Sequence, residues 1–294
     1  MLKNIPQSKK KIFKYLLIGS KGLLGSQLKI LLPKKDSIFL ARNKSNYNID
    51  LSNLYKLEKL FKSYRFTNVI NAAAITDLEY CQKKKNLCKK INYHLPLKLE
   101  SFSRKYHFKL THISTDQVYI SSHQNKHKET DKTGYFNYYS KMKYLSELQL
   151  KKNFQTLLIR TNFTGFKKKT TSTFIGWIYK SIENKKKITL FNDLFCSTID
   201  VKTCAQIIKK LIDKNKKGIF NVGTSDSLSK KDFAILFAKK LKKKIYFNEI
   251  SANKTSLKRP LNLRLNVRKI EKILKTKMIT SSKSINNLIS QKKI

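Results

Sequence analysis

A hydroxyl, a phenol and an ammonium stand at chemically useful positions in the middle of this chain: Thr115, then Tyr139 and Lys143. On a helix, Tyr139 and Lys143 would lie one turn apart. A cation so placed favours the phenolate and brings the tyrosine pKa down from about 10, so the phenol can protonate a carbonyl oxygen near neutral pH. Thr115 could hydrogen-bond that carbonyl, or could simply cap a helix or turn. The lysine could also hold the ribose beside a nicotinamide. Spacing alone does not single out the pair, because a chain with 14 tyrosines and this much lysine yields about three Tyr-x-x-x-Lys pairs by accident. Three occur: Tyr55/Lys59, Tyr80/Lys84 and Tyr139/Lys143. Only Tyr139 follows a strand ending in Ser114-Thr115-Asp116, and the carboxyl edge of a parallel sheet is where such folds place chemistry.

A second group lies near the start. Gly19-Ser-Lys-Gly22-Leu23-Leu24-Gly25 places glycines three apart directly after an apolar run. Such a turn lets the backbone approach a pyrophosphate, and the helix that follows offers its N-terminal N–H groups to the anion. A tight strand–helix turn with no ligand would look the same. After the second strand, Ala41-Arg42-Asn43-Lys44 offers cations and no acid. An acid there would bind the ribose hydroxyls of NAD, whereas Arg42 suits a 2′-phosphate, so NADPH is expected, with NADH admissible. Asp50, beside Leu51, opens the next helix and could bond adenine or merely cap the helix.

These residues need a scaffold, and the pattern supplies one. Tyr15–Ile18, Ser37–Ala41, Asn68–Ala72, Lys109–Ile113 and Thr156–Arg160 read as short buried strands. Between them run stretches of helical period: one ending near Pro33, one carrying Leu51, Leu54, Leu57, Leu60 and Phe61, one from Cys81 to Leu99, and one from Tyr138 to Lys151. Continuous apolar strands alternating with helices predict a doubly wound parallel α/β sheet, Rossmann-like, over residues 1–160. Ile219–Val222 reads as a strand returning to that sheet. Residues 161–294 are expected to form a smaller α/β substrate-binding domain, with helices at Phe174–Ile182 and Val201–Asp213 and a capping box at Ser229–Asp232. Its polar tail after about residue 280 is expected to fray.

Composition narrows the class further. The chain has 294 residues, 40% of them apolar, enough for a substantial core. No run approaches the ~18 apolar residues of a membrane span, and the basic start lacks a signal-peptide pattern. Cys81, Cys88, Cys196 and Cys204 form no Cys-x-x-Cys pair, so no metal site is expected and a reducing cytoplasm fits. The net charge is +46. The lysines are spread through nearly every segment and arginine is scarce, which argues compositional bias over a specific nucleic-acid reader. Weak, salt-sensitive attraction to nucleic acid follows under either reading.

Taken together the residues resemble the extended short-chain dehydrogenase/reductase superfamily, and within it the dTDP-4-dehydrorhamnose reductase family. The resemblance runs from about Lys14 to Leu274 and rests on Gly19–Gly25, Val69–Thr76, Ile91-Asn92, His112–Asp116, Tyr139–Lys143 with Glu147, Arg160-Thr161, Phe195–Thr198, Gly218–Gly223 and Arg259-Pro260. It implies a catalytic Thr115, Tyr139 and Lys143. It also implies a cofactor site from Gly19, Gly22, Leu23, Leu24, Gly25, Arg42, Asp50, Leu51, Ala72, Ala73, Ala74, Asn92 and Lys143. The substrate side would include Thr76, Gln117, Asn162 and Phe163. The implied reaction reduces a dTDP-linked 4-keto-6-deoxy sugar, with hydride from NADPH and a proton from Tyr139, in deoxysugar or polysaccharide synthesis; a homodimer is admissible. Departures fall on the sugar side: Gln117 replaces a tyrosine, Cys196 and Thr198 replace a glycine and a proline, Phe163 replaces a tryptophan, and Ser140 replaces the glycine after the catalytic tyrosine. Rival readings are a nucleotide-sugar epimerase or dehydratase on the same scaffold, and a non-catalytic NAD(P)-binding regulatory subunit.

Overall fold

The computed structural model describes residues 10–41, 47–48, 54–120, 125–153, 155–167 and 173–292. Its first half runs β1 (Ile12–Ile18), α1 (Leu23–Leu31), β2 (Ser37–Ala41), β3 (Tyr47–Asn48), α2 (Leu54–Ser63), β4 (Arg65–Asn71), α3 (Leu78–Lys83), α4 (Lys85–Lys89), α5 (Leu95–Tyr106), β5 (Lys109–Ile113), α6 (Tyr138–Leu150) and β6 (Leu157–Thr161). The second half runs β7 (Phe163–Thr164), α7 (Phe174–Glu183), β8 (Ile188–Phe191), β9 (Phe195–Cys196), β10 (Ile199–Asp200), α8 (Val201–Asp213) and β11 (Gly218–Val222). It ends with β12 (Leu228–Ser229), α9 (Lys230–Lys240), β13 (Phe247–Ile250), β14 (Asn262–Leu263), α10 (Arg268–Leu274) and α11 (Ser281–Gln291).

The doubly wound sheet expected from the sequence is present. Seven strands lie in the order β11-β6-β5-β4-β1-β2-β3, and each neighbouring pair is parallel. The chain reverses direction across the sheet between β1 and β4, so the crevice at their carboxyl ends is the topological switch point. Side-chain alternation sends each strand's residues to two cores. Leu17, Ile70, Ile113 and Ile159 pack with Leu24 and Leu28 of α1, Ile208 and Leu211 of α8, and Ile270 of α10. Leu16, Val69, Leu110 and Leu158 pack with Leu57 and Phe61 of α2 and Leu99 and Phe102 of α5. The sheet therefore draws two covering helices, α8 and α10, from beyond residue 161, along with the return strand β11.

A third core joins Ile178 and Ile182 of α7, Leu190 of β8, Phe233 and Phe237 of α9, and Ile285 and Leu288 of α11. The fraying expected after residue 280 is thus corrected. Thr280 caps α11 by accepting from the Lys283 N–H, and the helix buries Ser281, Ser284, Ile285 and Leu288. The segment is polar on average because its inward face uses two small serines beside only two large apolar residues; one face suffices for docking. No helix among the described residues is long and apolar enough to cross a membrane.

Candidate active site and cofactor crevice

The glycine turn sits at the switch point. Gly19 has φ +86°, the left-handed region that side chains avoid, and a Cβ there would come within 2.7 Å of the Ala73 nitrogen. A Cβ on Gly25 would meet the Gly19 carbonyl oxygen at 2.1 Å, so α1 can start this close to the turn only without one. The turn is tied down by the Gly19 and Ser20 N–H groups, which donate to the Leu40 carbonyl at 3.0 and 2.9 Å. No side chain caps α1 at Gly22. A helix N-terminus left without a cap, behind a turn that brings Ala72 and Ala73 against Gly19, fits the pyrophosphate of a dinucleotide. Leu24 points into the core, so only its backbone can face such a ligand. Leu23 is half-buried and Ala74 exposed. Arg42, Asp50 and Leu51 lie outside the described residues.

The carboxyl end of β5 holds the second group. Thr115 extends from the strand, and its hydroxyl donates to Asp116 Oδ1 at 3.2 Å while accepting from the Gln117 N–H at 3.2 Å. The same hydroxyl favours the ionised form of the Tyr139 phenol, against the burial that opposes it. Tyr139 is 6% exposed, against 66% for Tyr55 and 42% for Tyr80, so the fold separates the three Tyr/Lys pairs that spacing could not. Asn137 positions Tyr139 by opening α6 with a reciprocal capping box with Ser140. Ser140 therefore has a structural task where the family has glycine.

The electrostatics differ from the expectation in one respect. Burial pushes the Tyr139 phenol above its ordinary range, and Lys143 is not among the groups that act on it. The lysine is 1% exposed and turned away. Its Nζ donates to the Ile113 carbonyl at 2.6 Å and lies 3.0 Å from His112 Nε2. Burial brings the Lys143 ammonium down to about 8 and the His112 imidazole well below its usual range. In the ligand-free protein Nζ is thus bonded to His112 and to the β5 backbone, not to the phenol. Burial likewise pushes the Asp116 carboxyl up to about 6, against opposing hydrogen bonds from Asn162 and Thr115 and the charge of Lys230.

Asn92, expected on the cofactor side, is bonded to the backbone of Ile75. It sits in a π-helical turn between α4 and α5, fully buried. Its Oδ1 accepts from the Ile75 N–H at 3.0 Å, and its Nδ2 reaches the Ile75 carbonyl at 2.8 Å and Cys88 Sγ at 3.3 Å. Both amide protons are committed, so Asn92 braces the turn that ends at Ile75.

Behind the site lies a buried ionic network. Arg160 and Glu147 are both fully buried, with Arg160 Nη2 at 2.8 Å from Glu147 Oε2. Arg160 Nη1 also donates to the Tyr119 hydroxyl at 3.0 Å and the Glu129 carbonyl at 3.1 Å, and Ser114 Oγ donates to Glu147. The pair joins the end of β6 to α6 and so fixes the helix that carries Tyr139 and Lys143.

Two residues beyond Thr115, at Gln117, opens a cavity of about 250 Å³, lined also by Asn162, Trp177, Lys230 and Arg259 among others. Asn162 is held there by donating to Asp116 Oδ2 at 2.7 Å and accepting from the Thr198 hydroxyl at 3.1 Å. Of the substrate residues expected from sequence, Gln117 and Asn162 line this cavity. Phe163 packs against the core under α8 and Thr76 is exposed; neither is among the lining residues. Sequence reasoning missed Trp177 and Lys230. Trp177 is the chain's single tryptophan, a usable signal, whereas Lys230 is hidden among 64 lysines and arginines.

Comparison with known proteins agrees with this geometry. The chain is 22% identical over 227 residues to the probable low-salt glycan biosynthesis reductase Agl14 of Haloferax volcanii, covering 73% of this chain and 76% of that protein. It is 23% identical to the dTDP-4-dehydrorhamnose reductase of Shigella flexneri, covering 87% of this chain and 90% of the relative. The crystal structure of dTDP-4-dehydrorhamnose reductase from Bacillus anthracis, in complex with NADP, superposes with a TM-score of 0.85 at 20% identity over 96% of this chain and 99% of that one. The pattern of the RmlD substrate binding domain family matches residues 13–294. With its glycine turn, its buried Thr115 and Tyr139 and a match of that extent, this chain belongs to the RmlD substrate binding domain family.

Proposed function

We propose that the chain is an NADPH-dependent reductase of a nucleotide-linked 4-keto-6-deoxy sugar, working in glycan synthesis. It is an NAD(P)-dependent oxidoreductase of its family, and the finer assignment rests above all on the buried Tyr139 phenol, on which the Thr115 hydroxyl acts, next to the Gln117 and Asn162 wall of the cavity. Thr115, which favours ionisation of the Tyr139 phenol, can itself bond a carbonyl oxygen. A ketone arriving beside Thr115 would accept from its hydroxyl, and the Tyr139 phenol would deliver its proton to the oxygen as negative charge develops there. NADPH, when bound, supplies the hydride. Gly19, Gly22, Gly25, Ala72 and Ala73 would hold the dinucleotide backbone, and Lys143 the nicotinamide ribose once it leaves His112. Lys230 and Arg259 would face the diphosphate of the sugar nucleotide, with the flat apolar sides of Phe174 and Trp177 available to its base.

The test is NADPH oxidation by the purified protein with dTDP-4-keto-6-deoxy-L-mannose, with Tyr139→Phe as control. Turnover falling by about 10²–10⁴ in the control, with NADPH binding kept, supports the reading. Bound NADPH without turnover on this sugar refutes the substrate assignment. Isomerisation of a nucleotide sugar with cofactor retained through purification would make the chain an epimerase.

A further inference from the structure

The contact between His112 and Lys143 constrains more than the position of the lysine. Asn71 and His112 are register partners across β4 and β5, so their side chains meet on one face of the sheet, 3.1 Å apart between Asn71 Nδ2 and His112 Nδ1. The orientation of the Asn71 amide is fixed independently, because its Oδ1 accepts from the Ala73 N–H at 3.2 Å. Its NH₂ group therefore faces the ring, and His112 Nδ1 must accept. A neutral imidazole accepting at Nδ1 carries its hydrogen at Nε2. That Nε2–H points at Lys143 Nζ, 3.0 Å away, and the Lys143 nitrogen must then be the acceptor. An ammonium has no lone pair to offer. The arrangement is complete only with Lys143 as an amine, which still has a proton to donate to the Ile113 carbonyl.

We propose that His112, oriented by Asn71, is a positioning residue that gives Lys143 two discrete states: a neutral amine docked on the imidazole, and an ammonium that must leave it. Entry of the nicotinamide nucleotide selects the second state. One proton passes from solvent to Nζ, forming a single N–H bond, while His112 keeps its Nε2 proton. The other groups acting on Lys143 are Glu147 on its own helix and Cys88 from α4, both of which favour the ammonium, while burial favours the amine. The inference rests on the cofactor reading above, since it is the ribose that would receive the released ammonium.

Two measurements test it. Nitrogen NMR of the ligand-free protein with ¹⁵N-labelled histidine reads the tautomer directly; His112 protonated at Nε2 is expected, and protonation at Nδ1 overturns the proposal. Calorimetry of NADPH binding in buffers of different ionisation enthalpy counts protons. About one proton should be taken up per nucleotide near pH 9 and almost none near pH 6.5, with affinity falling up to about tenfold per pH unit in the alkaline range. Uptake should vanish in Lys143→Met and diminish in His112→Ala, where water replaces the ring. NADPH binding near pH 9 without proton uptake, or uptake that survives in Lys143→Met, overturns the proposal. Failure of NADPH to bind at any pH would instead sink the cofactor reading and leave the tautomer to decide the His112–Lys143 geometry.

Discussion

Replacing Asp116 by asparagine is expected to make this protein more stable, and the gain should depend on pH in a defined way. Asp116 is 1% exposed, and burial raises its carboxyl from an ordinary 3.8 to about 6. In the unfolded chain it titrates near its ordinary value. Between those two pH values the folded state therefore holds more protons than the unfolded state, and stability falls as pH rises through the window. A displacement of roughly two units, at 1.36 kcal/mol each, amounts to about 3 kcal/mol of lost stability that is complete above pH ~6 and absent below pH ~4. The Asp116→Asn variant has no charge to bury and escapes that loss. Its amide can take over one hydrogen bond, with Asn162 turning and the Thr198 hydroxyl reversing to suit, so any cost of rearrangement is the same at every pH. Urea unfolding of both proteins near pH 4 and near pH 7.5 isolates the effect, because every other titrating group cancels in the difference. The variant should gain about 3 kcal/mol relative to wild type between the two conditions. A difference that stays flat with pH would refute the argument, and with it the claim that a charge is held at Asp116 against its surroundings.

Three further substitutions probe other parts of the structure. Glu147→Ala leaves the Arg160 guanidinium buried without its counter-ion and should cost about 3–5 kcal/mol in chemical denaturation, while a loss below about 1 kcal/mol would mean that water or Tyr119 suffices. Gly25→Ala forces a methyl group onto the Gly19 carbonyl, so NADPH affinity measured by fluorescence should drop by more than about tenfold, equivalent to ~1.4 kcal/mol. Leu288→Ala should cost about 2–5 kcal/mol if α11 is a docked element, and nothing measurable if the C-terminal segment only rests on the surface.

Much of the scaffold could be read from the sequence because parallel strands buried on both faces appear as unbroken apolar runs, such as Leu16–Ile18 and Leu157–Ile159. Helix starts with side-chain caps were equally plain, as at Ser229, whose hydroxyl accepts from the Asp232 N–H at 3.0 Å. What escaped was set by non-local pairing. His112 looks like a polar interruption in a strand until β4 supplies Asn71 beside it and α6 supplies Lys143 above it. Asn92 matched a cofactor-side pattern, but a π-helical turn directs its amide onto the Ile75 backbone. Composition hid the rest: Lys230 is one lysine among many, and a polar average concealed the inward face of α11.

The four buried ionisable groups near the site are handled in three different ways, and the difference bears on what each can do. Arg160 and Glu147 neutralise one another in a closed set of hydrogen bonds, which makes them rigid and leaves neither available to a substrate. Lys143 meets a neutral partner, His112, and the low dielectric there favours the amine, so its charge can be switched by what enters the crevice. Asp116 has neither a counter-ion in contact nor a full neutralising partner; amide and hydroxyl donors hold it half-way, with the Lys230 charge acting from the cavity wall. A group poised near pH 6 and bonded to the Thr115 hydroxyl controls whether Thr115 must donate toward Asp116 or is free to donate to a carbonyl. Protonated, Asp116 can give its own hydrogen to Thr115 and release the threonine's proton for a carbonyl; ionised, it keeps Thr115 as a donor to itself. On the function proposed above, Asp116 thus sets whether the Thr115 hydroxyl is available to the carbonyl that Tyr139 would protonate.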